Sequence, residues 1–224
     1  MKLILLLLLF YSTALFSQGV KFGLGGGYAY VDNNTFYSRE VAQNSLPPSL
    51  GLKHCYTINT KMKYQNSKFP VNLTWELIYI SASNTFEYLG YSSQIQSGPG
   101  IIKLSASQKV YSLGIGIESQ IIKSKVNTYF LLGILTSYFG KTEIKRNPEP
   151  EKIFKNSEPV IYDVFRIGIN AGLGMEYPFT PKTSIDISIK YNFMNVGGES
   201  SFSENELEEN FNNIGITAIL FYKL

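Results

Sequence analysis

Ser184-Ile185-Asp186-Ile187-Ser188-Ile189-Lys190-Tyr191-Asn192-Phe193 decides how the chain is read. Ile185, Ile187, Ile189, Tyr191 and Phe193 stand at every second position, with Ser184, Asp186, Ser188, Lys190 and Asn192 between them. Successive side chains of a strand point to opposite faces, so this period makes one wall apolar and the other polar. A helix would scatter both sets around its circumference. The C-terminal stretch repeats the pattern, with Ile214, Ile216, Ala218, Leu220, Tyr222 and Leu224 opposed to Gly215, Thr217, Ile219, Phe221 and Lys223.

Working outward, the same period recurs in six further segments. The first sets Val20, Phe22, Leu24, Gly26, Tyr28 and Tyr30 against Lys21, Gly23, Gly25, Gly27 and Ala29. The second sets Tyr56, Ile58, Thr60, Met62 and Tyr64 against Thr57, Asn59, Lys61 and Lys63. The third sets Val71, Leu73, Trp75, Leu77 and Tyr79 against Asn72, Thr74, Glu76 and Ile78, and the fourth Tyr111, Leu113, Ile115 and Ile117 against Ser112, Gly114, Gly116 and Glu118. The sixth sets Ile167, Ile169, Ala171, Leu173, Met175 and Tyr177 against Arg166, Gly168, Asn170, Gly172, Gly174 and Glu176. The fifth, near Thr128–Phe139, is apolar on both faces; Phe130, Leu132, Ile134, Thr136 and Tyr138 are assigned to the outer one. Short turns at Gln65–Pro70, Ile122–Val126 and Pro178–Lys182 alternate with long connections at Asp32–Lys53, Ser83–Ser107, Gly140–Val160 and Asn195–Asn213. Tight turns at one end and loops at the other are the habit of outer-membrane barrels.

After Met1 come Lys2, then Leu3-Ile4-Leu5-Leu6-Leu7-Leu8-Leu9-Phe10, then a small and polar stretch from Ser12 to Gln18. Those are the parts of a cleavable secretory signal, so residues 1–18 are read as the signal and 19–224 as the barrel. The apolar run is too short to cross ~30 Å of hydrocarbon as a helix, and no second one follows. With 20 Lys+Arg against 17 Asp+Glu, the net charge of +3 makes no case for a nucleic-acid partner. One His and one Cys, the adjacent His54 and Cys55, build neither a disulfide framework nor a zinc site. Neither a metal nor a cofactor is expected.

A soluble periplasmic lipid-binding barrel also alternates, with its apolar set inside. Two features favour the opposite sense. The apolar set contains no charged residue, as a lipid-facing surface demands. The other set is rich in glycine (Gly23, Gly25, Gly27, Gly114, Gly116, Gly168, Gly172, Gly174), which suits a narrow lumen and would only weaken a solvated outer face. Aromatics also lie where hydrocarbon should end: Phe22, Tyr64, Tyr177 and Tyr222 toward the short turns, and Tyr30, Tyr56, Tyr79, Tyr111, Tyr138 and Tyr191 toward the long loops. The expected fold is all-β, a closed eight-stranded antiparallel up-and-down transmembrane barrel in the bacterial outer membrane.

From the signal through Tyr177-Pro178-Phe179-Thr180-Pro181 to the strand Ile214–Leu224, the chain resembles the small outer-membrane β-barrel domain common in Bacteroidota. The resemblance implies contact with outer-membrane lipid and insertion by the barrel-assembly machinery. That machinery usually reads a terminal aromatic residue; here Leu224 is last and Tyr222 stands two before it.

The inward set holds Lys21, Lys61, Lys63, Arg166, Lys190 and Lys223 with Glu76, Glu118, Glu176 and Asp186. In a narrow lumen such charges are expected to pair into a network, with the excess cations near the wet ends. A filled interior is favoured over a solute channel. His54, at the loop-side rim, is the one candidate for a lipid-modifying enzyme, with Ser92, Ser93 and Asp163 as neighbours by topology; no spacing assembles them. Glu204, Glu206, Glu208 and Glu209 read as a solvated run rather than a cation loop. The first expectation is therefore a non-enzymatic barrel whose long loops serve envelope integrity, adhesion or an extracellular or envelope protein partner.

Overall fold

The computed structural model describes residues 19–32, 54–65, 71–90, 100–122, 124–140, 143–147, 164–198 and 211–224. The signal segment, Ser92, Ser93, Asp163 and the Glu204–Glu209 run lie outside them. Every element is a strand: β1 (Val20–Asp32), β2 (His54–Gln65), β3 (Val71–Gly90), β4 (Gly100–Ile122), β5 (Asn127–Phe139), β6 (Glu143–Asn147), β7 (Val164–Pro178), β8 (Thr183–Gly198) and β9 (Asn212–Lys223). Eight of them form a ring in the order β1, β2, β3, β4, β5, β7, β8, β9, and each is antiparallel to its neighbours. The ring closes where β9 pairs with β1, from Lys21 opposite Lys223 to Asp32 opposite Asn212. No barrel strand has an unpaired edge in its spanning part, which is the condition for sitting in hydrocarbon.

The register sets the size of the barrel. Stepping from Lys21 across each hydrogen-bonded pair (Lys63, Thr74, Gly116, Gly133, Asn170, Asn192, Asn213) returns to β1 at Val31, ten residues farther along the strand. Eight strands with that stagger tilt at about 40° and enclose a backbone cylinder of roughly 8 Å radius, a space that side chains fill.

The parity read from the sequence holds on all eight walls. Leu24, Ile58, Leu77, Ile115, Ile134, Leu173, Ile189 and Leu220, one from each barrel strand, are all more than half exposed. So continuous an apolar girdle is untenable in water and is the surface a bilayer covers. Phe22 and Tyr30 on β1, like Tyr64 and Tyr56 on β2, are eight residues apart, about 20 Å along the axis at this tilt. At the loop end Tyr79, Tyr111, Tyr138 and Phe165 stand directly opposite one another across β3, β4, β5 and β7, with ring centroids 5.3, 6.5 and 5.0 Å apart. Tyr191 packs on Phe193 in the same belt, and Tyr177 on Phe179 at the turn end. Val20 departs from the outward pattern: opposite Tyr64 at the turn end, it is only 3% exposed.

Two of the expected long connections are partly strand. In place of the loop expected at Ser83–Ser107, β3 and β4 stay paired from Ser83↔Ser107 to Gly90↔Gly100. Within the expected Gly140–Val160 connection, β6 adds a third strand, pairing Glu143–Asn147 with Lys103–Ser107. The three form an arm that continues beyond the aromatic belt. It lacks one consistently apolar face, so period two does not reveal it. Backbone pairing propagates from the barrel, helped by the Thr85–Ser105 hydroxyl contact at 3.1 Å.

Candidate functional site

Two layers of side chains fill the lumen. The layer toward the turns is ionic. Lys63 of β2 lies at its centre, its ammonium 2.8 Å from Glu118 (β4), 3.0 Å from Glu176 (β7) and 3.0 Å from Asp186 (β8). Lys61 donates to Glu118 at 2.6 Å, Lys21 to Glu176 at 2.5 Å, and Lys190 to both oxygens of Glu76 at 2.6 and 2.7 Å. Four lysines thus meet four carboxylates, so the network is neutral. Its longest ties join opposed walls, since β2 and β7, like β3 and β8, are four steps apart on the ring. An ion buried in such a space needs both opposite charge and hydrogen bonds. Here Ser184 donates to Glu176 at 2.6 Å, Asn59 to Glu76 at 3.1 Å, and the Tyr129 hydroxyl to Asp186 at 2.6 Å.

Aromatic rings complete the enclosure of Lys63, whose Nζ lies 4.8 Å from the Tyr129 ring centroid and 4.9 Å from that of Phe221. Tyr129 can lie across the lumen because Gly174 faces it: a Cβ there would stand 2.3 Å from Cζ and Oη of the ring. The Tyr129→Phe variant keeps the packing and removes one hydroxyl from a buried carboxylate. A loss of about 1–3 kcal/mol in urea unfolding is expected; no loss would show that water replaces the bond.

The layer toward the loops is apolar. Ala29, Val31, Cys55, Ile78, Ile80, Ala82, Val110, Leu135, Phe139, Val164, Met194 and Phe211 form one buried cluster, with Phe139 and Phe211 edge to face at 5.4 Å. This layer explains why β5 is apolar on both sides: Leu135 and Phe139 belong to the plug while Leu132 and Ile134 face outward. Between the two layers, Ser112 meets Ser137 at 2.7 Å, Ser188 meets Thr217 at 2.9 Å, and Asn192 donates to Asn213 at 2.7 Å.

The remaining inward charges are placed differently. Arg166 stacks its guanidinium over the Phe139 ring at 5.0 Å, on the loop side. Lys223 stands apart from the paired network: it is exposed at the wet turn end of β9, where the strand runs out of the barrel, and makes none of the described ion pairs. Tyr129 and Phe221 join the charged residues through their inward parity on β5 and β9, the one signal of this role that the sequence carries. Among the described residues no His/Cys/Asp/Glu group is arranged to hold a metal ion.

His54 faces outward, away from the lumen. Its Nδ1 is hydrogen-bonded to the Tyr28 hydroxyl, and Tyr30 and Ser83 are its register neighbours. Cys55, one residue on, is buried in the apolar layer.

No protein-family model matches the chain, and no curated protein matches its sequence. Solved structures do. Neisserial surface protein A superposes with a TM-score of 0.52 at 13% identity, over 92% of this chain and 98% of that one. A major outer membrane protein from Thermus thermophilus gives 0.50 at 11% identity, over 92% and 99%. The outer membrane protein OprG from Pseudomonas aeruginosa gives 0.50 at 11%, over 92% and 96%. Register, lipid-facing girdle and these superpositions agree: the chain has the eight-stranded β-barrel fold of small outer-membrane proteins.

Proposed function

We propose that this chain is a non-enzymatic integral barrel of the bacterial outer membrane, a braced scaffold that presents the β3–β4–β6 arm and the long connections at the cell surface. Envelope integrity, adhesion or a protein partner are the tasks such a scaffold serves, because recognition concentrates on segments carried by a rigid frame. The observation that supports it is the filled lumen: a neutral ionic layer and an apolar layer stand in series, and a polar solute crossing the barrel would have to disrupt both.

Two measurements test this reading. In outer-membrane fractions the unheated protein is expected to migrate differently from the boiled protein in SDS, because a closed sheet has no edge from which to fray. A heat-insensitive band from the soluble periplasm would overturn the membrane assignment. In planar bilayers the purified barrel is expected to leave the current flat. Regular conductance steps would replace the scaffold with a channel.

A further inference from the structure

We propose that the turn-end mouth of the barrel receives a carboxylate-bearing stem peptide of the peptidoglycan layer. The inference rests on the outer-membrane reading above, which turns this mouth toward the periplasm, and it gives the envelope-integrity task a partner. The inward parity at the last rungs of the turn end belongs to Lys21 on β1, Gln65 on β2, Asn72 on β3, Gln120 on β4, Asn127 on β5 and Lys223 on β9. With a stagger of ten residues around eight strands, these six lie within about 4 Å of one level. All six reach solvent, whereas Glu118, Glu176 and Asp186 behind them are buried. Each ends in an ammonium or an amide, so the rim is rich in N–H donors.

No acid balances this rim. Lys21 and Lys223 stand directly opposite each other across the seam, a like-charge pair that an anion would relieve. Glu176 is already occupied by Lys21, Lys63 and Ser184. The Leu224 carboxylate, on the outward parity, is the one other acid at this end among the described residues. The Lys223 N–H donates to the Lys182 carbonyl at 2.7 Å, which brings a further lysine to the same corner. In the sequence, the connections that cross this end, residues 66–70, 123–126 and 179–182, contain four lysines and no Asp or Glu. The long connections 33–53, 148–163 and 199–211 contain ten Asp+Glu against four Lys+Arg, so the cationic balance belongs to the mouth's end alone. That balance selects an anion, and shape selects which one. Phe22 and Tyr222 face the lipid on the outer side of the same seam, so a phospholipid headgroup meets rings there while the inward lysines look toward the axis. An opening of roughly 8 Å backbone radius, narrowed by its own side chains, admits a slender chain and excludes the surface of a folded protein. Amides beside ammonium groups suit a ligand that is both peptide and carboxylate.

The test pellets purified peptidoglycan sacculi with the full chain in phosphatidylcholine nanodiscs and measures the fraction carried down. The unsubstituted barrel is expected to co-sediment, and to lose most of that binding once the carboxylates of the sacculi are converted to amides. The double variant Lys182→Gln, Lys223→Gln leaves the buried network intact and is expected to bind about tenfold more weakly. Lys109→Gln, at the opposite end, is expected to bind like the unsubstituted protein. Equal binding to amidated sacculi, or by the double variant, overturns the site. Loss of binding on adding phosphatidylglycerol vesicles would assign the lysines to lipid and overturn the wall as partner. Release by polyglutamate as readily as by soluble stem peptides would make the mouth a general acidic-peptide site and overturn it too. These failures are separable from failure of the membrane reading, which would show as loss of the SDS heat shift in the unsubstituted protein.

Discussion

Lys63→Met is expected to destabilise the barrel by about 3–5 kcal/mol, the effect of removing one partner from a buried ionic cluster. The residue is fully buried, and Glu118, Glu176 and Asp186 all converge on its ammonium. Methionine fills much of the same volume and keeps contact with the Tyr129 and Phe221 rings. The loss therefore reports charge: three carboxylates would remain with Lys21 and Lys61 as their nearest cations. The double variant Lys63→Met, Asp186→Asn restores neutrality and is expected to recover a large part of the loss. Urea unfolding of the folded barrel in phospholipid vesicles, followed by the SDS mobility shift, measures both. A change under 1 kcal/mol for the single variant would mean that water reaches the three carboxylates, and the filled-lumen reading would give way to a hydrated pore.

Gly25→Val is expected to lower stability by about 3 kcal/mol, toward the upper end of what overpacking costs, and to do so at the seam that closes the ring. A Cβ on Gly25 would lie 2.0 Å from the carbonyl oxygen of Ala218 and 2.6 Å from Cα of Ile219, both on β9. Backbone atoms cannot turn aside as a flexible side chain does, so β1 and β9 would have to part. The result should appear as a lower temperature for the SDS mobility shift and, in cells, as less folded protein in the outer membrane. Gly26→Val, on the outward face and 2.8 Å from the Thr57 carbonyl oxygen of β2, tests the other seam of β1. It is expected to have the smaller effect, because fewer backbone atoms crowd it. An undisturbed Gly25 variant would show that the β1–β9 approach is looser than the register implies.

Much of the architecture was legible because strand parity is a local property. Ile185, Ile187 and Ile189 declare a wall by alternation alone, and eight such walls with no charge on the apolar side leave only the membrane to cover them. Where alternation failed, the reasons are physical. On β5 both faces are apolar since one meets lipid and the other meets the plug of Phe139, Phe211 and Met194. Above Ser83 the arm lies outside the hydrocarbon, so neither of its faces has to be apolar; backbone pairing carries its register, with cross-strand contacts such as Thr85–Ser105 and Glu87–Lys103 added to it.

Alternation along the chain was enough to show which residues look inward and that six cations, Lys21, Lys61, Lys63, Arg166, Lys190 and Lys223, would share a narrow space with four carboxylates. Which four lysines meet the four carboxylates, and in what pairs, is set by the closed ring. Lys61 stands directly opposite Glu76 on the neighbouring strand, yet Lys61 bonds Glu118 and Glu76 is held by Lys190 from the far wall. Those choices follow from the stagger of ten residues and the curvature of a closed ring, which bring distant strands to the same height. Neither quantity is written in any local stretch of the chain.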